Sequence, residues 1–356
     1  MYFKILKLIV IVVVVNACNQ QEKEAIDHFE TVFEIVEYDS IYSDKNDAII
    51  RLGAHTDIDI FENVVIAYNR SGNDSYFSFY DIVNGVLVGS WGRKGQGPGE
   101  YVQLGSGFTL FNSQLIFLDR AKREINYVPL SNILCETEIL TVKREPYPYT
   151  VEFRPTHLNI IHDKKIAIGS FQTGRFGILD AENNIINCTY DYPFTFPEIT
   201  DIYRGSVFQG RIKSNAKQSK FVISTFASDI FEIYQITDSG IYRTYVSPFN
   251  YIPKIVKKPR ENLNYTIDYE RSTAGLINLA VTNDLICFTH SAKSYAECAD
   301  SNNESNEILC FDWNGEKIKK YILPIPINNF CLDENYIYGV REYNDETVIY
   351  RFKMNK

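Results

Sequence analysis

Val64-Val-Ile-Ala-Tyr68 is followed along the chain by Leu115-Ile-Phe-Leu-Asp119, Ile166-Ala-Ile-Gly-Ser170, Phe221-Val-Ile-Ser-Thr225, Leu285-Ile-Cys-Phe-Thr289 and Tyr336-Ile-Tyr-Gly-Val340. Each is a short β-branched or aromatic run behind a polar turn, which is the composition of a strand. The runs begin at 64, 115, 166, 221, 285 and 336, so three of five intervals are 51 residues, and the longer two, 55 and 64, carry insertions. A repeat of about 40–50 residues made of short strands fits the four-stranded blade of a β-propeller.

Each period holds three further runs. A short strand precedes each run, at 58–61, 107–111, 157–161, 207–212, 276–280 and 330–332. An alternating run follows, such as Tyr76-Phe-Ser-Phe-Tyr80 or Val348-Ile-Tyr-Arg-Phe352, and then a fourth, at 86–91, 137–142, 185–190, 242–246 and 318–323. Links such as Asp312-Trp-Asn-Gly315 supply hairpin turn residues. No stretch carries a convincing 3.6-residue apolar stripe, so helices are minor. The sixth period reaches Lys356 without a fourth strand, while Thr31-Val-Phe-Glu-Ile-Val-Glu-Tyr38 alternates alone ahead of the first. It is expected to fill the gap and close the ring, sparing the last sheet an open edge. The fold is thus read as all-β, a six-bladed β-propeller with four-stranded antiparallel blades, closed by an N-terminal strand. Ser291–Glu307 is expected to project from the fifth blade as a hairpin loop.

Composition agrees. Of 356 residues 45% are hydrophobic and 14% aromatic, enough to build a core and contrary to disorder. Net charge of −9 argues against a nucleic-acid partner held by phosphate contacts. Residues 1–17 place Lys4 and Lys7 before an apolar run, Leu8–Val15, that is too short to span a bilayer and has the length of a signal-peptide core. Val15-Asn-Ala-Cys18 resembles the lipobox of bacterial lipoproteins, which implies cleavage before Cys18 and its acylation. The mature chain would lose two lysines and carry −11. Asn19 is not Asp, so nothing in the resemblance points to inner-membrane retention. The expected organisation is a lipoprotein signal at 1–17, a flexible tether at 18–30 and a propeller at 31–356, at the outer membrane or cell surface. Six cysteines remain, an even count that permits disulfides in an exported chain; most sit in apolar surroundings and are read first as buried thiols, with Cys298 in a polar loop, and no spacing suggests a metal site.

Trp91-Gly-Arg-Lys-Gly-Gln-Gly-Pro-Gly-Glu-Tyr101 is the one motif with family character. Successive glycine amides beside Arg93 and Lys94 suggest an anion cradle, although no P-loop lysine and serine follow. A tight connection between blades, turning toward the axis, is preferred over the cradle. With the blade pattern, this segment resembles the six-bladed β-propeller lipoproteins of Bacteroidetes, related to NHL and TolB-like propellers. Leu118-Asp-Arg120 followed by Glu124-Ile125 resembles the NHL pattern in which an Asp ends the second strand. The resemblance implies fold and address, and no common activity.

Chemistry is sparsely signalled. Five histidines form no HExxH or metal-ligand pair, and no GxSxG occurs. Inner strands and the loops before them surround a propeller's axial channel, so His55, Asp57, Arg93, Lys94, Glu100, His157, Arg204 and Arg271 are the candidate ligand-binding residues. They suit an acidic ligand or a metal; calcium enters only by analogy with lactonase-like propellers, whose several oxygen ligands sequence spacing does not reveal. No cofactor and no metal ligand set is assigned. The aromatic segments Tyr147-Pro-Tyr149, Tyr192-Pro-Phe194-Thr-Phe196 and Pro248-Phe-Asn-Tyr251 are read as interblade packing before a sugar platform. The expected role is a lipid-anchored envelope module binding a protein or glycan. The alternative is an axial metal-dependent hydrolase or lyase acting on a small or sugar-derived substrate.

Overall fold

A computed structural model describes residues 26–44, 57–70, 74–134, 142–194, 199, 201–248, 250–260, 263–300, 303–343 and 346–355. Blade one comprises Asp57–Phe61, Val64–Tyr68, Ser75–Asp81 and Val86–Arg93, all antiparallel. Blade two begins at Leu104–Phe111, blade three at Phe153–Ile161, blade four at Ile212–Asn215, blade five at Thr273–Val281 and blade six at Asn329–Leu332. These six innermost strands touch one another in a closed ring. Adjacent side chains of a strand point to opposite faces, and here both faces are buried. In Gln114–Asp119, Leu115 and Phe117 pack toward blade one while Ile116 and Leu118 pack toward blade three. Six such interblade cores run round the ring, with Phe77, Phe108 and Phe117 in one and Phe176, Phe221 and Tyr234 in another.

The ring does close through an N-terminal strand, but the segment is displaced from the expected one. Tyr38–Asp44 pairs antiparallel with Glu346–Lys353 and completes blade six. Val32–Glu34, inside the expected 31–38, instead runs parallel along Lys317–Ile327 as a fifth strand of blade five. That eleven-residue strand leaves a long outer edge to cover. Packing also starts earlier than residue 31: Ile26 and Phe29 are buried, Phe29 edge-on to Phe311.

Other boundaries move. Residues 207–212 are not an inner strand; Asp201–Val207 is a short helix, and blade four starts at Ile212. In blade two the outer strand is Lys143–Pro146, and residues 135–141, with Cys135, lie outside the described residues. The long fourth interval holds a hairpin, Ile255–Arg260 with Leu263–Ile267, between blades four and five. Ser291–Glu307 is no hairpin loop: the flanking strands extend into it and the helix Tyr295–Asp300 joins them. Two of the expected thiols are a disulfide, Cys287–Cys310, because antiparallel register sets them directly opposite each other. Cys298 is buried on that short helix and does not lie in a polar loop. Among the described residues no helix is long and apolar enough to cross a membrane.

Candidate functional site

The axial channel is filled by charge that the chain neutralises itself. Asp57 opens the inner strand of blade one, and the inner strand of blade four directs Lys213 at it, with Arg211 just ahead of that strand. Nζ of Lys213 lies 3.4 Å from Asp57 Oδ1 and 2.8 Å from Asp59 Oδ2, and Arg211 Nη1 lies 3.7 Å from Asp57 Oδ1. Phe108 of blade two donates its amide to Asp57 Oδ2 at 3.2 Å, and its carbonyl accepts from His157 Nε2 of blade three at 3.1 Å. A carbonyl only accepts, so the hydrogen of His157 is on Nε2. Arg211 donates to Asn278 Oδ1 of blade five at 3.0 Å, and Asn278 donates to the Asn328 carbonyl of blade six at 2.7 Å. All six blades therefore meet in one polar plug. Gly107 permits it, since a Cβ there would lie 2.6 Å from Asp57 Oδ2 and 2.8 Å from His157 Cε1.

The electrostatics follow from burial against pairing. Burial pushes the Asp57 carboxyl up, but Lys213 and Arg211 outweigh it and hold Asp57 below the usual carboxylate range. Lys213 is opposed by burial yet raised to about 12 by Asp57 and Asp59. His157 is lowered to about 4, chiefly by burial, and stays neutral. Two carboxylates thus face two cations around a neutral imidazole.

Above the plug the channel widens. The starts of the inner strands and the ends of the antiparallel second strands share one end of the ring, and there a recess of 380 Å³ opens. Arg70 and Arg120, which follow the second strands of blades one and two, line it together with Arg154 from the inner strand of blade three. Among the described residues no carboxylate lines the recess and none of the three arginines makes an ion pair. Asp119, beside Arg120, is buried and accepts from the amides of Ala121 and Lys122 at 3.0 and 3.1 Å. Arg120 donates to Tyr149 Oη at 3.2 Å, while its buried Nε has no partner. Phe226, also in the wall, carries the Arg211 guanidinium on its ring at 5.6 Å and so joins recess to plug.

Of the sequence candidates, Asp57 and His157 come together in the plug, and His55 lies outside the described residues. Arg93, Lys94 and Glu100 belong to the glycine loop, whose cradle holds an anion of its own: Gly97 donates its amide to Glu100 Oε2 at 2.8 Å, and Arg93 pairs with Glu100 at 3.4 Å. Lys94 lies over the Tyr76 ring at 5.0 Å. A side chain at Gly95, which has φ +157°, would collide with that carboxylate. Arg204 sits on the short helix and donates to the Ile199 carbonyl at 3.2 Å, and exposed Arg271 faces Asp268 at 3.6 Å; neither lines the recess. Tyr147 and Tyr192 are buried in packing as expected. Among the described residues one group has metal-ligand character, Asp27, His290 and Glu307, with ligand atoms within 4.8 Å; Glu307 is already paired with Lys320 at 3.0 Å. The residues the sequence reading missed are Arg211, Lys213, Arg70, Arg120 and Arg154. Alternating Arg211-Ile-Lys213 at an inner strand, and an arginine just after a second strand, were the available signals.

Ring, plug and loop-lined mouth define a six-bladed propeller with a polar axial recess. The sequence model of the TolB-like 6-blade propeller-like family matches residues 39–335, and the chain belongs to that family. A Bacteroides fragilis protein assigned as exported is similar in structure, with TM-score 0.58 and 15% identity over 92% of this chain and 99% of its own. A DUF4221 family member from Bacteroides vulgatus superposes with TM-score 0.53 and 10% identity, covering 90% of this chain and 98% of its own. No curated protein matches the sequence significantly.

Proposed function

We propose that this protein is an exported, lipid-anchored propeller of the cell envelope that binds a protein or glycan partner at the loop face around the arginine recess. The observation that carries the reading is the contrast of charge along the axis: the channel carboxylates are engaged from within by Lys213 and Arg211, whereas Arg70, Arg120 and Arg154 at the mouth meet no carboxylate among the described residues. Binding sites gather where a rigid scaffold presents loops, and preorganised cations in a concave wall favour encounter with an anionic partner. Support for the address comes from the lipobox-like Val15–Cys18, because two or more acyl chains give stable attachment without a spanning helix. The B. fragilis relative assigned as exported agrees with it. An axial metal-dependent hydrolase or lyase has less support, since the carboxylates it would use already neutralise cations.

Two measurements test this. Cys18→Ser should move the protein from the membrane fraction to the soluble fraction of the envelope. Mild cross-linking in native membranes should recover a consistent partner with the wild-type chain and lose it with the triple variant Arg70→Gln/Arg120→Gln/Arg154→Gln. Unchanged capture by the triple variant would place the partner elsewhere and sink the reading.

A further inference from the structure

The chemistry of the recess narrows what sits in it. Three arginines line one recess that, among the described residues, no carboxylate lines, in a chain that is acidic overall, at −9. Guanidinium forks match the two-oxygen geometry of carboxylate and related oxyanions. Tyr149 holds one arm of Arg120 at 3.2 Å, which restrains its guanidinium at the wall.

The rest of the wall is mostly hydroxyl and amide, and its hydroxyls are weakly committed. Ser106 Oγ reaches the Thr156 carbonyl at 3.3 Å, Thr156 Oγ1 the Ile168 carbonyl at 3.3 Å, and Ser170 Oγ meets Ser206 Oγ at 3.3 Å. Good O–H···O bonds are about 2.5–3.0 Å long, so these groups have bonding capacity to exchange for a ligand's. Groups that both donate and accept, in a row, match a polyol. Tyr269, 46% exposed, stands on the same wall and brings an aromatic side chain of the kind on which a sugar ring stacks. The volume, 380 Å³, lies at the small end of ordinary ligand sites, about 300–1,000 Å³, which suits a monosaccharide-sized group.

We propose that this recess binds a sugar residue bearing an anionic substituent, a carboxylate or a sulfate. Arg70, Arg120 and Arg154 take the anion, the wall hydroxyls take the sugar hydroxyls, and Tyr269 covers the ring. The proposal rests on the loop face being the binding face and names the chemistry recognised there. A neutral sugar leaves the guanidiniums unpaired, and a bare anion leaves the hydroxyls and the tyrosine unused.

Calorimetric titration of the full chain in detergent, with glucuronate, glucose 6-sulfate, glucose and acetate as separate probes, tests it. Glucuronate or glucose 6-sulfate should bind, and which of the two binds tighter identifies the substituent. Glucose and acetate should each bind at least tenfold more weakly. Arg154→Gln should weaken the anionic sugar about tenfold with melting temperature unchanged, and Arg154→Lys, which keeps charge and loses the fork, should recover only part. The proposal is overturned if neither anionic sugar binds, if glucose or acetate binds as tightly, or if Arg154→Gln binds like wild type. Should the sugars fail while the triple variant still loses its cross-linked partner, the sugar chemistry is wrong and the binding face stands. Should the sugars bind while capture is unaffected, the partner reading fails instead.

Discussion

Arg211 and Arg154 occupy related places, at the start of the inner strands of blades four and three, yet one meets Asp57 in the plug and the other, among the described residues, meets no acid in the recess. Within the plug every charge has a partner from another blade, so the charges act as structure: they fix the angular register of the ring. At the mouth the same residue type is left with spare donors and partial solvent access. A buried cation without a counter-charge is costly, but one at a wetted mouth is tolerated and keeps its donors for something else. The difference separates charge that serves the fold from charge that is available to a ligand, and each side of it can be broken separately.

The largest effect should come from Lys213→Met. It keeps the stem and removes the charge between Asp57 and Asp59, leaving a buried carboxylate with Arg211 alone. Breaking one partner of a buried pair costs about 3–5 kcal/mol, read as a shift in the urea or thermal unfolding midpoint. Adding Asp57→Asn should return part of the loss, because the two residues share one interaction and their effects are not additive. Strict additivity would remove the plug from the stability account.

His157 should give an acid-sensitive slope of similar size. Its folded pKa, about 4, is below the ordinary 6.5, so the unfolded chain binds the proton first as pH falls. The contribution is complete above pH 6.5 and drains away between 6.5 and about 4, worth up to about 3 kcal/mol. Asp57, also lowered, continues the loss below 3.8, and Lys213, raised to about 12, adds a loss as pH climbs beyond 10.5. His157→Gln retains a donor for the Phe108 carbonyl without the titration and should flatten the acid limb between pH 6.5 and 4. An unchanged limb would assign it to other groups. Gly107→Ala should cost less, about 1–3 kcal/mol, since its Cβ overpacks against Asp57 and His157 and both must give way.

How much of this the sequence carried depends on how local each feature is. The blades were legible because strand alternation and turn residues lie within one period, and the interblade cores follow from alternation with both faces apolar. The closing strand was legible as an element but misplaced: 31–38 alternates like a strand, yet only Val32–Glu34 of it pairs, on the edge of blade five, and Tyr38 already opens the strand that closes blade six. The plug was half legible. Asp57 and His157 stood out as polar residues on inner strands, but Lys213 is 154 residues from Asp59, and only ring closure brings them to 2.8 Å. In the glycine loop, Gly95 and Gly97 announced a cradle; that Glu100 fills it depends on a fold-back within the loop that spacing does not encode. Arg70, Arg120 and Arg154 come from three blades and have no motif in common.

The smallest stability effect, and the one that most sharpens the contrast, belongs to Arg154→Gln. Replacing a plug cation strands a buried carboxylate, whereas Arg154 is only partly buried and has no carboxylate to strand among the described residues. Substitutions away from such features usually stay within about 0.5 kcal/mol, so the unfolding midpoint should be almost unmoved, with the lost packing of its stem opposed by relief of repulsion among three like charges on one wall. The same change should lower affinity for an anionic sugar about tenfold, near 1.4 kcal/mol. Lys213→Met should show the reverse order, a large stability loss with affinity following only as far as the fold survives. A stability loss at Arg154 comparable to that at Lys213 would mean that the recess is part of the structural plug, and the division between the two regions would collapse.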